Sequence, residues 1–139
     1  MRKARPLGPL DDDITRHRVV ISAMMGMERS RVSSVPARGA CALFEDDDAS
    51  LHFYVAGDIE YRDRLVPAEM LAILEGIGQR TARGRTIVLK AVCIASEGKV
   101  SPCLECMVLV EEFGAKDCQV IHYNPATRKD RLLARISEE

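Results

Sequence analysis

The chain has 139 residues, 47% of them hydrophobic and 29% charged, which is the size and make-up of one globular domain that folds without disulfides. A net charge of −1 and 4% aromatic residues supply neither the basic field nor the stacking surface that nucleic acid or an anionic membrane asks for, so neither is expected as a partner. Five cysteines make an odd number with no paired pattern, and they are expected as reduced thiols in a cytoplasmic protein.

Residues 1–9 hold Pro6, Gly8 and Pro9 and read as a mobile arm before a single domain over 10–139. Arg2, Lys3 and Arg5 lie in that arm without the apolar core of a signal peptide, and no later run is long enough to span a bilayer. Asp11-Asp12-Asp13 opens a helix, since carboxylates favour a helix N-terminus. Ile14, Ile21, Met24 and Met25 fit its 3.6-residue period, and Gly26 suggests its stop. The methionines there read as core or subunit contact.

Residues 37–44 and 51–56 read as strands, with Glu45-Asp46-Asp47-Asp48 as a solvated hairpin turn between them. Residues 68–79 form a helix, for which Pro67 suits the first position because its missing N–H would have no partner there. Residues 86–95 are β-branched and almost wholly apolar, the pattern of a strand buried on both faces. Residues 104–113 read as a helix closed by Gly114, 119–123 as a strand, and 129–136 as a final short helix. The strand–helix–strand alternation favours parallel pairing, while the hairpin adds antiparallel strands. The fold class expected is three-layer α/β/α on a mixed sheet of about five strands.

The chemistry-bearing residues concentrate in two places. Ser101-Pro102-Cys103-Leu104-Glu105-Cys106 sets two cysteines at a helix start, where the dipole and free N–H groups favour negative charge. Pro67-Ala68-Glu69 places a glutamate at the start of another helix. By residue chemistry alone, Cys103 and Cys106 are a metal pair, a buried thiol pair or a reversible dithiol, and Glu69 is a proton carrier or a dipole-favouring carboxylate. Cys41 and Cys93 read as small core hydrophobes, Cys118 has no marked role, and His17, His52 and His122 are too scattered to share a metal.

From Arg38-Gly39-Ala40-Cys41-Ala42-Leu43, through Asp58-Ile59-Glu60 and Pro67-Ala68-Glu69, to Pro102-Cys103-x-x-Cys106, the chain resembles the small cytidine deaminases, including the blasticidin-S deaminase branch. The likeness runs from about Ser33 to the C-terminal element. It implies a hydrolytic deaminase of a cytidine-like nucleoside or nucleoside antibiotic, with zinc as cofactor on Cys103 and Cys106 and Glu69 as proton shuttle. It further implies substrate contacts at Asp58, Glu60 and Ala68, and a homo-oligomer, tetramer or dimer.

The departures fall on functional positions. Pro67 stands where the first zinc ligand belongs, and a proline side chain binds no metal. Leu104 replaces a glycine, Met107 an arginine and Asp58 a ribose-contacting asparagine, Pro36 stands near a phenylalanine position, and the segment from Glu60 to Pro67 is shorter. A third ligand would have to come from elsewhere, such as Cys41, Cys93, His52, a carboxylate such as Asp63, or a neighbouring chain of the oligomer that the resemblance implies. Two other functions are therefore open: a zinc-free member with Cys103 as thiolate nucleophile and Glu69 as its acid or base, and a nucleoside-binding protein without turnover.

Overall fold

The structure is a computed structural model that describes residues 12–30 and 37–136. The expected arm over 1–9, and Ser33 and Pro36, lie outside the described residues. The elements are α1 (Asp13–Met27), β1 (Arg38–Asp46), β2 (Leu51–Gly57), β3 (Ile59–Tyr61), β4 (Arg64–Val66), α2 (Ala68–Ala82), β5 (Ile87–Ser96), α3 (Leu104–Phe113), β6 (Gly114–Asn124) and β7 (Lys129–Arg135). Five strands form one mixed sheet in the order β2-β1-β5-β6-β7. Only β5 and β6, joined through α3, are parallel, and the other pairs are antiparallel. Residues of β1 alternate between the two faces. Ala40, Ala42 and Phe44 pack with α2 and α3, while Cys41 and Leu43 pack with α1. The three-layer expectation holds.

Helix α1 is capped by Asp12, whose side chain accepts from the N–H of Thr15 at 3.2 Å. Its buried stripe is Val19, Ala23 and Gly26, and not the larger residues of the expected stripe, since Ile14, Ile21, Met24 and Met25 are exposed. Small residues face inward because the helix approaches the sheet backbone. A Cβ on Gly39 would lie 2.2 Å from the Met27 nitrogen, and one on Gly26 would lie 2.4 Å from the Ala56 carbonyl oxygen. Gly26 is thus a contact residue inside the helix. Helix α2 buries Ala68, Ala72, Ile73 and Gly76, spaced for one face. Gly76 admits the ring of Phe44, which meets Tyr54 edge-on at 5.9 Å between centroids.

Three further differences have local causes. The acidic run does turn the hairpin, but Asp46 is buried: its Oδ2 lies 3.0 Å from His52 Nε2 and 3.5 Å from an Arg80 guanidinium nitrogen. Gly114 ends α3 in an extended conformation that leads straight into β6, not through a left-handed cap. The expected helix over 129–136 is instead strand β7, paired antiparallel with β6 from Asn124–Lys129 to Gln119–Arg135. An edge pairing with a long central strand overrides a weak local preference. The shortened segment before Pro67 folds as a hairpin, β3 with β4, turning through Arg62 and Asp63 at φ 49° and 64°, the two left-handed residues of a tight two-residue turn.

Candidate functional site

The site is built where α2 and α3 begin. Pro67 is the N-cap of α2 rather than its first residue, at φ −65° and ψ 143°, and gives no side-chain cap. The cap comes from elsewhere in the chain. Asp58, just past β2, accepts the Ala68 N–H on Oδ1 at 2.7 Å, satisfying one of the helix's free donors. The same oxygen accepts from Arg38 Nε at 3.2 Å, while the Asp58 N–H donates to the Arg38 carbonyl at 3.1 Å. Arg38 then extends Nη2 to within 3.2 Å of Glu69 Oε1. One arginine thus ties the first residue of β1 to a strand end and a helix start, and it sits between two buried carboxylates.

Glu69 has no solvent exposure. Arg38 neutralises it from one side, but neither carboxylate oxygen is in hydrogen-bond alignment with a partner among the described residues. Burial pushes its pKa up, and the nearby Asp58 charge adds to this. Arg38 and the N–H groups of Glu69 and Cys103 pull the other way without cancelling it. The result is a carboxyl group that holds a proton more tightly than ordinary glutamate.

Cys103 is the N-cap of α3, its Sγ accepting the Cys106 N–H at 3.3 Å. Cys106 is fully buried. Both thiols are pushed up in pKa, first by burial and then by the Glu69 charge, with Cys106 moved the further. Desolvation and the neighbouring carboxylate therefore oppose the thiolate that the helix start favours.

The four residues named as examples of a third zinc ligand all lie away from this pair. Cys41 and Cys93 face each other across β1 and β5 under α1, on the opposite side of the sheet. His52 is held by Asp46 and Arg80 at the β1–β2 turn. Asp63 sits in the exposed β3–β4 turn. Among the described residues no group of three His, Cys, Asp or Glu could hold a metal ion. Catalytic zinc takes three protein ligands and one open position, and two thiols beside a proline do not fit it.

The expected substrate contacts are placed unevenly. Asp58 is buried, with one oxygen already shared by Ala68 and Arg38. The Ala68 N–H is spent on that same bond, and its side chain is in the core. Glu60 is exposed on β3. A cavity of about 190 Å³ opens next to them, lined in part by Arg38, Asp58, Leu65, Ser96 and Lys99. Ser96 pairs in register with Arg38, and the buried His122 lies 2.9 Å by Nε2 from the Ser96 carbonyl oxygen. Arg38 and Ser96, which line this cavity, were not legible as site residues. The available signal was Arg38 itself, a cation opening a strand of buried small and apolar residues, where it must find a carboxylate.

A mixed five-stranded sheet between one helix and two, with a glutamate and two cysteines at the paired helix starts, is a cytidine-deaminase-like fold. Among solved structures the chain is similar to the cytidine deaminase from Burkholderia pseudomallei, with TM-score 0.63 and 19% identity over 84% of this chain and 89% of that one. It is also similar to those from Mycobacterium tuberculosis, with TM-score 0.59, 20% identity and 87% and 92% covered, and Mycobacterium leprae, with TM-score 0.57, 19% identity and 88% and 96% covered. At such identities the likeness establishes the fold. No protein-family model and no curated protein matches the sequence.

Proposed function

We propose that the chain is a hydrolytic deaminase of a cytidine-like nucleoside or nucleoside antibiotic, with Glu69 as its proton carrier. The observation that supports this most is Glu69 itself. A carboxylate kept only for a helix dipole does not need complete burial, which costs desolvation that the Arg38 contact and the nearby N–H groups offset only in part. A group meant to pass a proton gains a raised pKa, which brings it toward working pH.

Ionised Glu69 takes a proton from water while the water oxygen bonds to the ring carbon that bears the amine. The acid form gives that proton to the ring nitrogen, and the regenerated carboxylate takes the proton of the new hydroxyl and passes it to the amine. The C–N bond then breaks, ammonia leaves and a carbonyl remains. Arg38 holds the carboxyl in place and stabilises its charged form. Zinc would activate the water if it were bound, but the donors present among the described residues do not fit it.

A second reading is supported by Pro67 and by the Arg38–Glu69 contact: binding of a nucleoside-like ligand without turnover. Cys103 as nucleophile has less support, because its thiol is harder to ionise than an ordinary one. Assembly as a homo-oligomer belongs to the same proposal, and the exposed Ile14, Ile21, Met24 and Met25 of α1 offer an apolar face for it. No helix among the described residues is long and apolar enough to cross a membrane.

The test is ammonia release from cytidine, 2′-deoxycytidine and blasticidin S by wild type and Glu69→Gln. Release by wild type that falls at least about 100-fold in the variant supports deamination. Tight binding with no release by wild type replaces it with the second reading.

A further inference from the structure

We infer that Arg38 is the resident cation of this site: it supplies beside Glu69 the positive charge that a catalytic metal would bring, and its presence keeps zinc out of the Cys103–Cys106 turn. The inference deepens the proposal above, resting on it for the role of Glu69 and on the geometry for the rest.

Three residues interlock to produce this arrangement. Pro67 brings neither a metal donor nor a side-chain cap to the start of α2. Asp58 takes over the capping, and Arg38 binds the same Asp58 oxygen at 3.2 Å. Arg38 cannot swing free without leaving Asp58 with a buried charge, because the Asp58 side chain is 2% exposed and that of Glu69 is 0% exposed, against 17% for Arg38. Arginine stays protonated at every pH that the fold survives. Without it, Asp58 and Glu69 would be two buried carboxylates with no cation between them, an arrangement that attracts a divalent cation. With it, the negative charge nearest the thiols is already paired, and a metal ion at Cys103 and Cys106 would face a fixed guanidinium across Glu69.

Restoring a third ligand alone is therefore insufficient to restore zinc. The experiment is elemental analysis of purified wild type, Pro67→Cys, and Pro67→Cys combined with Arg38→Met or with Arg38→Lys. Wild type, Pro67→Cys and the double variant that keeps the charge with lysine are expected below about a tenth of a zinc per chain. The double variant with methionine is expected near one zinc per chain. Retention of zinc by the lysine variant would assign Arg38 a merely structural role and overturn the inference. Near-stoichiometric zinc in wild type or Pro67→Cys overturns it too, as does a folded methionine variant that takes up none.

If the methionine variant does not fold, thiol labelling decides. Zinc added to folded wild type and Pro67→Cys is expected to leave the labelling rate of Cys103 unchanged, and protection in either contradicts the inference. These results separate from turnover. A zinc-free protein that releases no ammonia removes deamination and leaves the Arg38 assignment standing. A zinc-filled wild type that releases ammonia does the reverse.

Discussion

Nη2 of Arg38 lies 3.2 Å from Oε1 of Glu69, and this contact joins two motifs that are separate in the chain. Removing the cation leaves Asp58 and Glu69 as adjacent buried carboxylates. Breaking a buried pair from one side costs about 3–5 kcal/mol. Arg38→Leu is therefore expected to lose about 3 kcal/mol in urea unfolding, at the lower end because Arg38 is partly exposed. Combining Arg38→Leu with Glu69→Gln should recover part of the loss, since the two side chains are coupled. Strictly additive losses would show that the contact carries no energy.

Asp58 has two tasks that two substitutions separate. Asp58→Asn keeps an oxygen for the Ala68 N–H but loses the charge that faces Arg38. Asp58→Ala loses both. The alanine variant is expected to be less stable than the asparagine variant by about 1–2 kcal/mol, the value of a helix cap. Thermal unfolding of the pair measures it, and equal stabilities would mean that Ala68 finds another acceptor.

Glu69 gives the fold a pH dependence of definite sign. Its folded pKa is raised above the ordinary 4.5, so between those two values the folded state holds a proton that the unfolded chain has released. Stability from this group is fully present below about pH 4.5 and falls as pH rises toward the folded pKa, by up to about 1.4 kcal/mol per pH unit. Urea unfolding from pH 4 upward should show that decline in wild type and a flatter profile in Glu69→Gln. Parallel profiles would place Glu69 at an ordinary pKa.

Two helical positions test the packing. A Cβ on Gly78 meets nothing within 4 Å, so Gly78→Ala should stabilise by about 0.5–1 kcal/mol through helix propensity. At Gly76, two residues earlier, a Cβ would lie 2.2 Å from Phe44, and alanine should cost about 1–3 kcal/mol. Melting temperatures moving in opposite directions confirm the placement of α2 against β1.

The elements that carry strong local signals were legible. The burial of β5 follows from its apolar run, broken only by Lys90, and the bounds of α3 from Cys103 and Gly114. The face of α1 was not, because the stripe that packs inward is set by how close the helix comes to the sheet backbone at Gly39, which no periodicity records. Strand β7 was misread for a related reason: Leu132, Leu133 and Ala134 are contiguous, and only pairing with β6 decides their conformation. At the site, Glu69, Cys103 and Cys106 were found from their motifs. Arg38 was missed because its partners lie 20 and 31 residues away, a distance that only the register of β1 with β2 and the start of α2 closes.

The most direct measurement is a carbon-13 NMR titration of the Glu69 carboxyl, assigned by comparison with Glu69→Gln and repeated with cytidine present. A buried proton carrier should titrate above the ordinary glutamate range, and its resonance should move when cytidine binds. A carboxyl that titrates at or below 4.5 and does not respond to cytidine would contradict the role given to Glu69.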